Sequence, residues 1–427
     1  MPPDLTVLGL PAARGRWLLV LFGMSVMLCL GSVYAWSVFR GALESELGIG
    51  ATESLLPYTL ALFFYAFLMP VTGFYISRLG PRPVAAIGGG LVGLGYVLSS
   101  IATNIFALTL TYGVIAGTGV GITYGVPMAV VAKWFPDKKG LAVGLTIIGF
   151  GLSPLITAPL ANYFMGLYGI RTTLRILGLA FAAFIPVVAL TLKFPPEGWQ
   201  ARPHAQHPLQ SVVTKPHSSK LLFSSRSFYG LWLCYAIGAF IGLSVIGISS
   251  PVGEEIVHLR PELAAGSLSL FALFNGISRP FFGWLSDHFK PRYVAIFNYT
   301  LMLIASLRMV SAQTGQLSTY LFSFCLLWFC LGGWLAIAPT TTLRFFDSEQ
   351  YAQNYGIVFT AYGVGAVFGT LAVGQIRDWF GTYTYVFYLM AALAIIGIVI
   401  ASLLLKADGK DLSKGERASL LKGTKRN

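Results

Sequence analysis

Twelve stretches of about twenty mostly apolar residues, each closed by a Gly, Pro or charged break, decide what this chain can become. They lie near 16–40, 54–77, 83–101, 107–132, 140–163, 172–193, 228–250, 264–286, 292–312, 317–343, 353–376 and 382–405. About twenty such residues carry a helix across a bilayer core, where backbone amides must be bonded within their own segment. The reading is therefore an all-α, polytopic membrane protein. Composition excludes the soluble alternative. Of 427 residues 56% are hydrophobic and 11% charged, with a mean hydropathy of +0.72, whereas soluble domains carry about a quarter charged residues.

The net charge of +13 would suit a nucleic-acid partner if it were clustered on one soluble face, but the basic residues collect in alternate connections, as the positive-inside rule requires. With both termini in the cytoplasm, 22 of the 29 basic residues lie inside, including Arg14, Arg78, Arg82, Lys138, Lys139, Lys290, Arg292 and the tail from Lys406 to Arg426. Six lie outside and Arg279 alone falls at mid-membrane. Cys29, Cys234, Cys325 and Cys330 all lie within spans, without metal-ligand spacing, and read as small packing residues. The first span is too long for a signal-peptide core and is expected to remain as helix 1.

The apolar pattern stops after Lys193, where five prolines, basic residues and His204, His207 and His217 appear. The expected organisation is a six-helix bundle over 1–193, a cytoplasmic linker over 194–227, a second bundle over 228–405 and a basic tail over 406–427. Histidines in such a linker are ordinarily solvated. The halves echo each other. Gly73-Phe-Tyr-Ile-Ser77-Arg78-Leu-Gly80-Pro81-Arg82 returns 210 residues later as Gly283-Trp-Leu-Ser-Asp287-His288-Phe-Lys290-Pro291-Arg292, and Trp134-Phe135-Pro136-Asp137 with Gly144 is echoed by Phe346-Asp347 with Gly356. Transporters build a midplane site between two such repeats.

On these residues the chain resembles the major facilitator superfamily over essentially its whole length, which implies twelve transmembrane helices in two six-helix bundles. The loop after helix 2 is similar to that superfamily's Gly-x-x-x-Asp-Arg-x-Gly-x-Arg signature. The resemblance casts Arg78, Arg82, Asp287 and Asp137 as a latch between helix ends. Ser77 replaces the acid of the first copy and His288 the arginine of the second, so the latch is expected to be asymmetric. A plain run of positive-inside loop charges is the alternative.

The run Lys133-Trp134-Phe135-Pro136-Asp137-Lys138-Lys139-Gly140-Leu141-Ala142-Val143-Gly144 resembles the helix 4 to 5 signature of monocarboxylate transporters, and also that of oxalate:formate antiporters. In both groups the position of Arg279 holds the anion-binding arginine. Two departures bear on substrate. Animal carriers have an aspartate where this chain has Asn275, and a helix 1 lysine without counterpart in Tyr34-Ala35-Trp36-Ser37. The oxalate carriers have a second cation, a helix 11 lysine, where this chain has Tyr362. One buried cation matches one negative charge, whereas a dianion would leave a carboxylate desolvated without a full partner. The reading is proton-coupled symport of a small monocarboxylate such as L-lactate or pyruvate, with carboxylate exchange of the oxalate:formate type as the alternative.

Physical chemistry points to the same arginine. Arg279 stands in the apolar stretch Leu268 to Trp284 with no acid nearby. An unpaired charge at membrane depth costs about 2.5 to 3.5 kcal/mol on insertion scales, so this one asks for an anion or reaches for an interface. Asn275, four residues earlier, shares its helix face and would bind a hydroxyl or keto oxygen, or else join helix 8 to a neighbour. Tyr124 in a Gly-rich stretch, and Phe359 and Tyr362 three apart in helix 11, are candidate cavity walls or packing aromatics. Leu28 and Leu145 are candidates for contact with a small acid's methyl group. Leu331 and Leu335 stand where the oxalate carriers place aromatics.

None of the 16 acidic residues falls at mid-membrane in this map, so the coupling proton is expected to travel on the substrate carboxylate. No nucleophile-base pair, phosphate loop or metal-ligand cluster appears, so neither an enzyme nor a cofactor is expected. The expected partners are a small monocarboxylate, a proton and the lipid bilayer, with no nucleic acid and with the monomer as the working unit.

Overall fold

The computed structural model describes residues 6–196, 199, 225–346 and 351–405. His204, His207, His217, Asp347, most of the linker and the 406–427 tail lie outside the described residues. Helix α1 spans Ala12–Leu47, α2 Ala51–Leu79, α3 Pro81–Ser99 and α4 Ile105–Trp134. The next helical stretch, Lys139–Ala189, turns at Gly169, where φ is 75°, and so supplies two crossings, α5 over 139–168 and α6 over 170–189. The second six are α7 (Arg226–Glu255), α8 (Pro261–His288), α9 (Pro291–Val310), α10 (Leu317–Phe345), α11 (Tyr351–Phe380) and α12 (Thr384–Leu404). Ten helical stretches among the described residues are long and apolar enough to cross a membrane. The turn at Gly169 divides one of them, and α8 runs beside the rest as the twelfth crossing.

Connections therefore alternate between two ends. One, the basic end, carries 80–81, 135–138 and 289–290; the other carries 48–50, 256–260 and 381–383. The α2–α3 turn is a single residue, Gly80 with φ of 81°, followed by Pro81 at the first position of α3. Glycine reaches that φ without a Cβ clash, and proline suits a helix start because its missing N–H has no partner there anyway.

Departures from a plain α-helical span occur within the first six helices, a π-helical stretch over Thr109–Ala116 of α4 among them. A short hairpin, β1 (Thr6–Val7) and β2 (Leu10–Pro11), precedes α1 and buries Val7 against Gly15. Helix α1 is also interrupted by a 3-10 stretch, Gly31–Ala35. Gly31 permits it by lying against the backbone carbonyl of Phe150 in α5, where a Cβ would come within 2.2 Å. A mid-helix 3-10 turn marks a hinge or a strained site, and this one carries Tyr34.

Two contacts join the first six helices to the last six along their lengths: α2 lies on α11 and α5 on α8. Advancing each number by six exchanges these contacts, as a two-fold relation between repeats demands. Small residues set the approach. Gly363 sits on Ala66, Gly356 on Pro70, Gly374 on Thr52 and Gly276 on Leu152. Within a bilayer such close backbone approach supplies the packing that apolar burial alone does not.

Candidate functional site

Arg279 lies just past the middle of α8 and is 6% exposed. Its Nη1 donates to the Ile147 carbonyl of α5 at 2.5 Å and its Nη2 to Asn275 Oδ1 at 3.3 Å, while Nε has no partner among the described residues. The described ion pairs leave it without a carboxylate. A guanidinium offers five donors in a planar fork, so this one retains both charge and donor capacity. Removing the charge from water without a counter-ion costs several kcal/mol, and an entering anion offsets that cost.

Asn275 is more fully engaged than expected. Its Nδ2 donates to the Trp328 carbonyl of α10 at 2.8 Å while its Oδ1 accepts from Arg279. The amide therefore joins α8 to α10 and aims the guanidinium. One lone pair of its oxygen is taken by Arg279 and one N–H by Trp328, which leaves one N–H and one lone pair for a ligand. Gly151 of α5 makes the arrangement possible: a Cβ there would lie 2.5 Å from Asn275 Oδ1 and 3.0 Å from Arg279 Nη2.

Aromatic side chains from both sets of helices enclose this centre. Tyr34 is close enough to Arg279 to interact electrostatically. Its hydroxyl meets that of Tyr362 at 2.5 Å, and its ring stands edge-on to Phe150 at 5.0 Å. Phe359 stacks on Tyr362 at 5.0 Å, and Tyr124 packs against Phe150 at 5.3 Å and Tyr65 at 4.9 Å. The structure thus brings Arg279, Asn275, Tyr362, Phe359 and Tyr124 into one cluster and adds Tyr34, Tyr65, Phe150 and Gly151. No residue-type signal singles out the added four, because aromatic residues recur in every span and glycine in all but α9.

The leucine candidates are placed differently. Leu331 is fully buried against Gly242 at the α7–α10 contact, and Leu335 one turn on is 9% exposed. Leu145 is half-buried and packs with the apolar cluster of Leu19, Val130 and Trp134 at the basic end. Leu28 is half-buried on α1.

The latch candidates lie at the basic end. Arg78, Arg82 and Asp287 are exposed. Asp137 is paired within the first six helices, accepting from Arg16 at 2.6 and 2.8 Å. Those hydrogen bonds hold its carboxyl below the ordinary carboxylate value. Arg16 also donates to the Trp134 carbonyl and lies 4.4 Å from the centre of the Phe135 ring, so the start of α1 is clamped to the end of α4.

At the other end, Arg40 does not lie in solvent as its place in the charge map suggested. It is wholly buried, and Nε, Nη1 and Nη2 of its guanidinium each donate at least one hydrogen bond. Nearby groups supply the acceptors that make burial tolerable: Glu44, four residues on, the Ser54 hydroxyl, two carbonyls and the Tyr383 hydroxyl.

Comparison with known proteins places the chain among membrane carriers. The sequence model of the Major Facilitator Superfamily matches residues 21–344 and 255–424. The chain is 28% identical to the oxalate:formate antiporter of Oxalobacter formigenes, over 93% of this chain and 94% of that one. It is 28% identical to monocarboxylate transporter 13 of Rattus norvegicus over 77% of this chain and 74% of the relative. Among solved structures, a bacterial homolog of the human lysosomal transporter Spinster, inward-facing and unoccupied, superposes with a TM-score of 0.69 at 15% identity, covering 91% of this chain and 96% of that one. A D-xylose-proton symporter superposes at 0.70 with 12% identity, covering 91% and 98%. These two likenesses speak for the fold alone.

Proposed function

Because the chain belongs to the Major Facilitator Superfamily, and so is a multi-pass membrane transporter, we propose that it moves small monocarboxylates such as L-lactate or pyruvate by proton-coupled symport. The observation that carries this reading is Arg279, a buried cation with an unpartnered Nε and no carboxylate on it among the described residues. A carboxylate takes two parallel N–H bonds from such a fork, each charge-assisted. Tyr362 offers a hydroxyl where a dicarboxylate would need a second cation, so a single negative charge is matched and two are not.

In this reading the carboxylate parts the Tyr34–Tyr362 hydroxyl contact and lies against Arg279, with Phe359 and Tyr124 as apolar walls. Asn275 and Gly151 fix the guanidinium. Tyr34 belongs to the first six helices and Tyr362 to the last six, so a ligand between them senses both. The two sets act as bundles, 1–193 and 228–405, that rock about the site to expose it alternately. The basic end faces the cytoplasm with both termini, and the monomer suffices. Protonation of the bound carboxylate removes the charge that Arg279 holds, which weakens the grip and couples acid release to proton movement.

The test is radiolabelled L-lactate uptake into cells or proteoliposomes at several external pH values, comparing wild type with Arg279→Ala at equal membrane abundance. Uptake that rises in acid and vanishes in the variant is the expected result. Uptake unaffected by pH with Arg279 intact would sink proton coupling. The 28% identity to an oxalate:formate antiporter favours a second reading, exchange without a proton. Lactate-indifferent vesicles that exchange preloaded oxalate for formate would establish it.

A further inference from the structure

Arg40 is buried as completely as any residue of the protein, at 0% exposure, yet it lies at the end of the bundle away from the basic loops. Its donors divide between the two sets of helices. On its own side Nε donates to Ser54 Oγ at 2.9 Å, and Nη2 to the Ala51 carbonyl at 3.2 Å and to Glu44 at 2.9 Å. Across the divide Nη1 donates to the Gly247 carbonyl of α7 at 3.1 Å and Nη2 to the Tyr383 hydroxyl, just before α12, at 2.9 Å. Tyr383 is itself held, since its backbone N–H donates to Glu255, which is paired with Arg377 at 2.5 Å.

A second bond set crosses at the same end. Asp378 of α11 accepts from the backbone N–H groups of Ala51 and Thr52 at 2.9 and 3.0 Å and from the Thr52 hydroxyl at 2.5 Å. The first N–H groups of a helix have no partner within it and favour a negative charge. Here a carboxylate from the other set supplies both needs. Gly50 allows the approach, with Asp378 Oδ1 only 3.0 Å from where a Cβ would stand.

We propose that Arg40 is the bolt of the outer gate, holding the outer ends of the two bundles together through Gly247 and Tyr383 and releasing both when the site opens outward. The partition of its bonds suits that task. Opening separates α1 and α2 from α7 and α12, yet Glu44 and Ser54 travel with Arg40, so the cation keeps its counter-ion in either state. Of the bonds Arg40 makes, only the two to neutral acceptors are broken, and entering water replaces them, as it does those of Asp378 to the start of α2. A cross-bundle carboxylate on Arg40 would instead lock the gate, because breaking a buried ion pair is strongly unfavourable. Among the described residues the carboxylate paired with Arg40 is Glu44 of its own bundle.

The inference rests on the alternating-access transporter reading and is independent of which acid is carried, so its test uses no substrate. Spin labels on Ser45→Cys and Arg260→Cys, both exposed on opposite sides of the gate, report the distance across the outer ends in lipid nanodiscs. Protein without these two substitutions controls for the native cysteines. Tyr383→Phe keeps the ring and deletes one cross-bundle acceptor, and it should raise the ratio of long to short distances about tenfold, the scale of one hydrogen bond to a charged donor. Arg40→Lys, which replaces the fork with a point charge, should shift it further. An unchanged distance distribution in correctly folded Tyr383→Phe overturns the proposal even if lactate uptake is confirmed. A shift toward long distances supports it even if lactate is not the substrate.

Discussion

Gly151→Ala should weaken acid binding without weakening the helix that carries it. The new Cβ would lie 2.5 Å from Asn275 Oδ1 and 3.0 Å from Arg279 Nη2, against the 3.5 to 4 Å at which heavy atoms pack comfortably. The amide oxygen must therefore retreat by roughly 1 Å. It has little freedom to do so, because Asn275 Nδ2 is held by the Trp328 carbonyl at 2.8 Å and Arg279 by the Ile147 carbonyl at 2.5 Å. The Arg279–Asn275 bond, already 3.3 Å long, passes beyond hydrogen-bonding range. Losing one bond to a charged group costs about 1.5 to 3 kcal/mol, or roughly ten- to a hundredfold in affinity. The assay is lactate binding to purified protein by calorimetry, beside uptake across a substrate range. Gly144→Ala on the same helix is the control, since its Cβ would meet nothing within 4 Å. Both substitutions favour helix by up to about 1 kcal/mol, so equal melting temperatures in the two variants would separate lost binding from lost stability. Equal affinities in Gly151→Ala and Gly144→Ala would refute the claim that Asn275 aims the guanidinium.

Three further outcomes follow from named contacts. Tyr34→Phe removes one partner of a buried hydroxyl pair and leaves the Tyr362 hydroxyl unsatisfied, at a cost on the order of 1 to 3 kcal/mol; a melting temperature equal to that of wild type would contradict the pairing. The double substitution Tyr34→Phe with Tyr362→Phe should recover much of that stability while still binding the acid more weakly, as calorimetry can show. Asp137→Asn should destabilise the protein by on the order of 1 kcal/mol at neutral pH, in line with partly exposed ion pairs. Arg16 lowers the folded-state value of Asp137 below its ordinary 3.8, so the contribution is present above that value and is lost as pH falls through the folded one. Melting curves of wild type and variant should therefore converge in acid, and a gap that persists at the lowest pH the fold tolerates would argue against the pairing.

Much of the architecture is written in local chemistry. Each span announces itself because a bilayer imposes the same demand on every twenty residues, and no distant part of the chain has to be known to read it. The internal repeat is visible for a related reason: the two turns at Gly80-Pro81 and Lys290-Pro291 need similar residues whichever helices surround them. Arg279 was conspicuous because a charge without a neighbouring acid in an apolar stretch is improbable unless something binds it. Arg40 shows the opposite case. At the end of its span, with Glu44 close by, it reads as a loop charge, and its burial depends on Gly247 and Tyr383, more than 200 residues away.

The same division runs through the site. A cation at membrane depth with Asn275 on its helix face is readable from the residues alone, because periodicity along one helix fixes what shares a face. That the amide is shared between Arg279 and Trp328, that Gly151 is the space in which the pair fits, and that Tyr34 meets Tyr362 across the centre emerge from the packed helices. Each of these depends on which helices pack together and at what depth. That choice is made by small residues and hydrogen bonds between helices, contacts that leave no period in the chain.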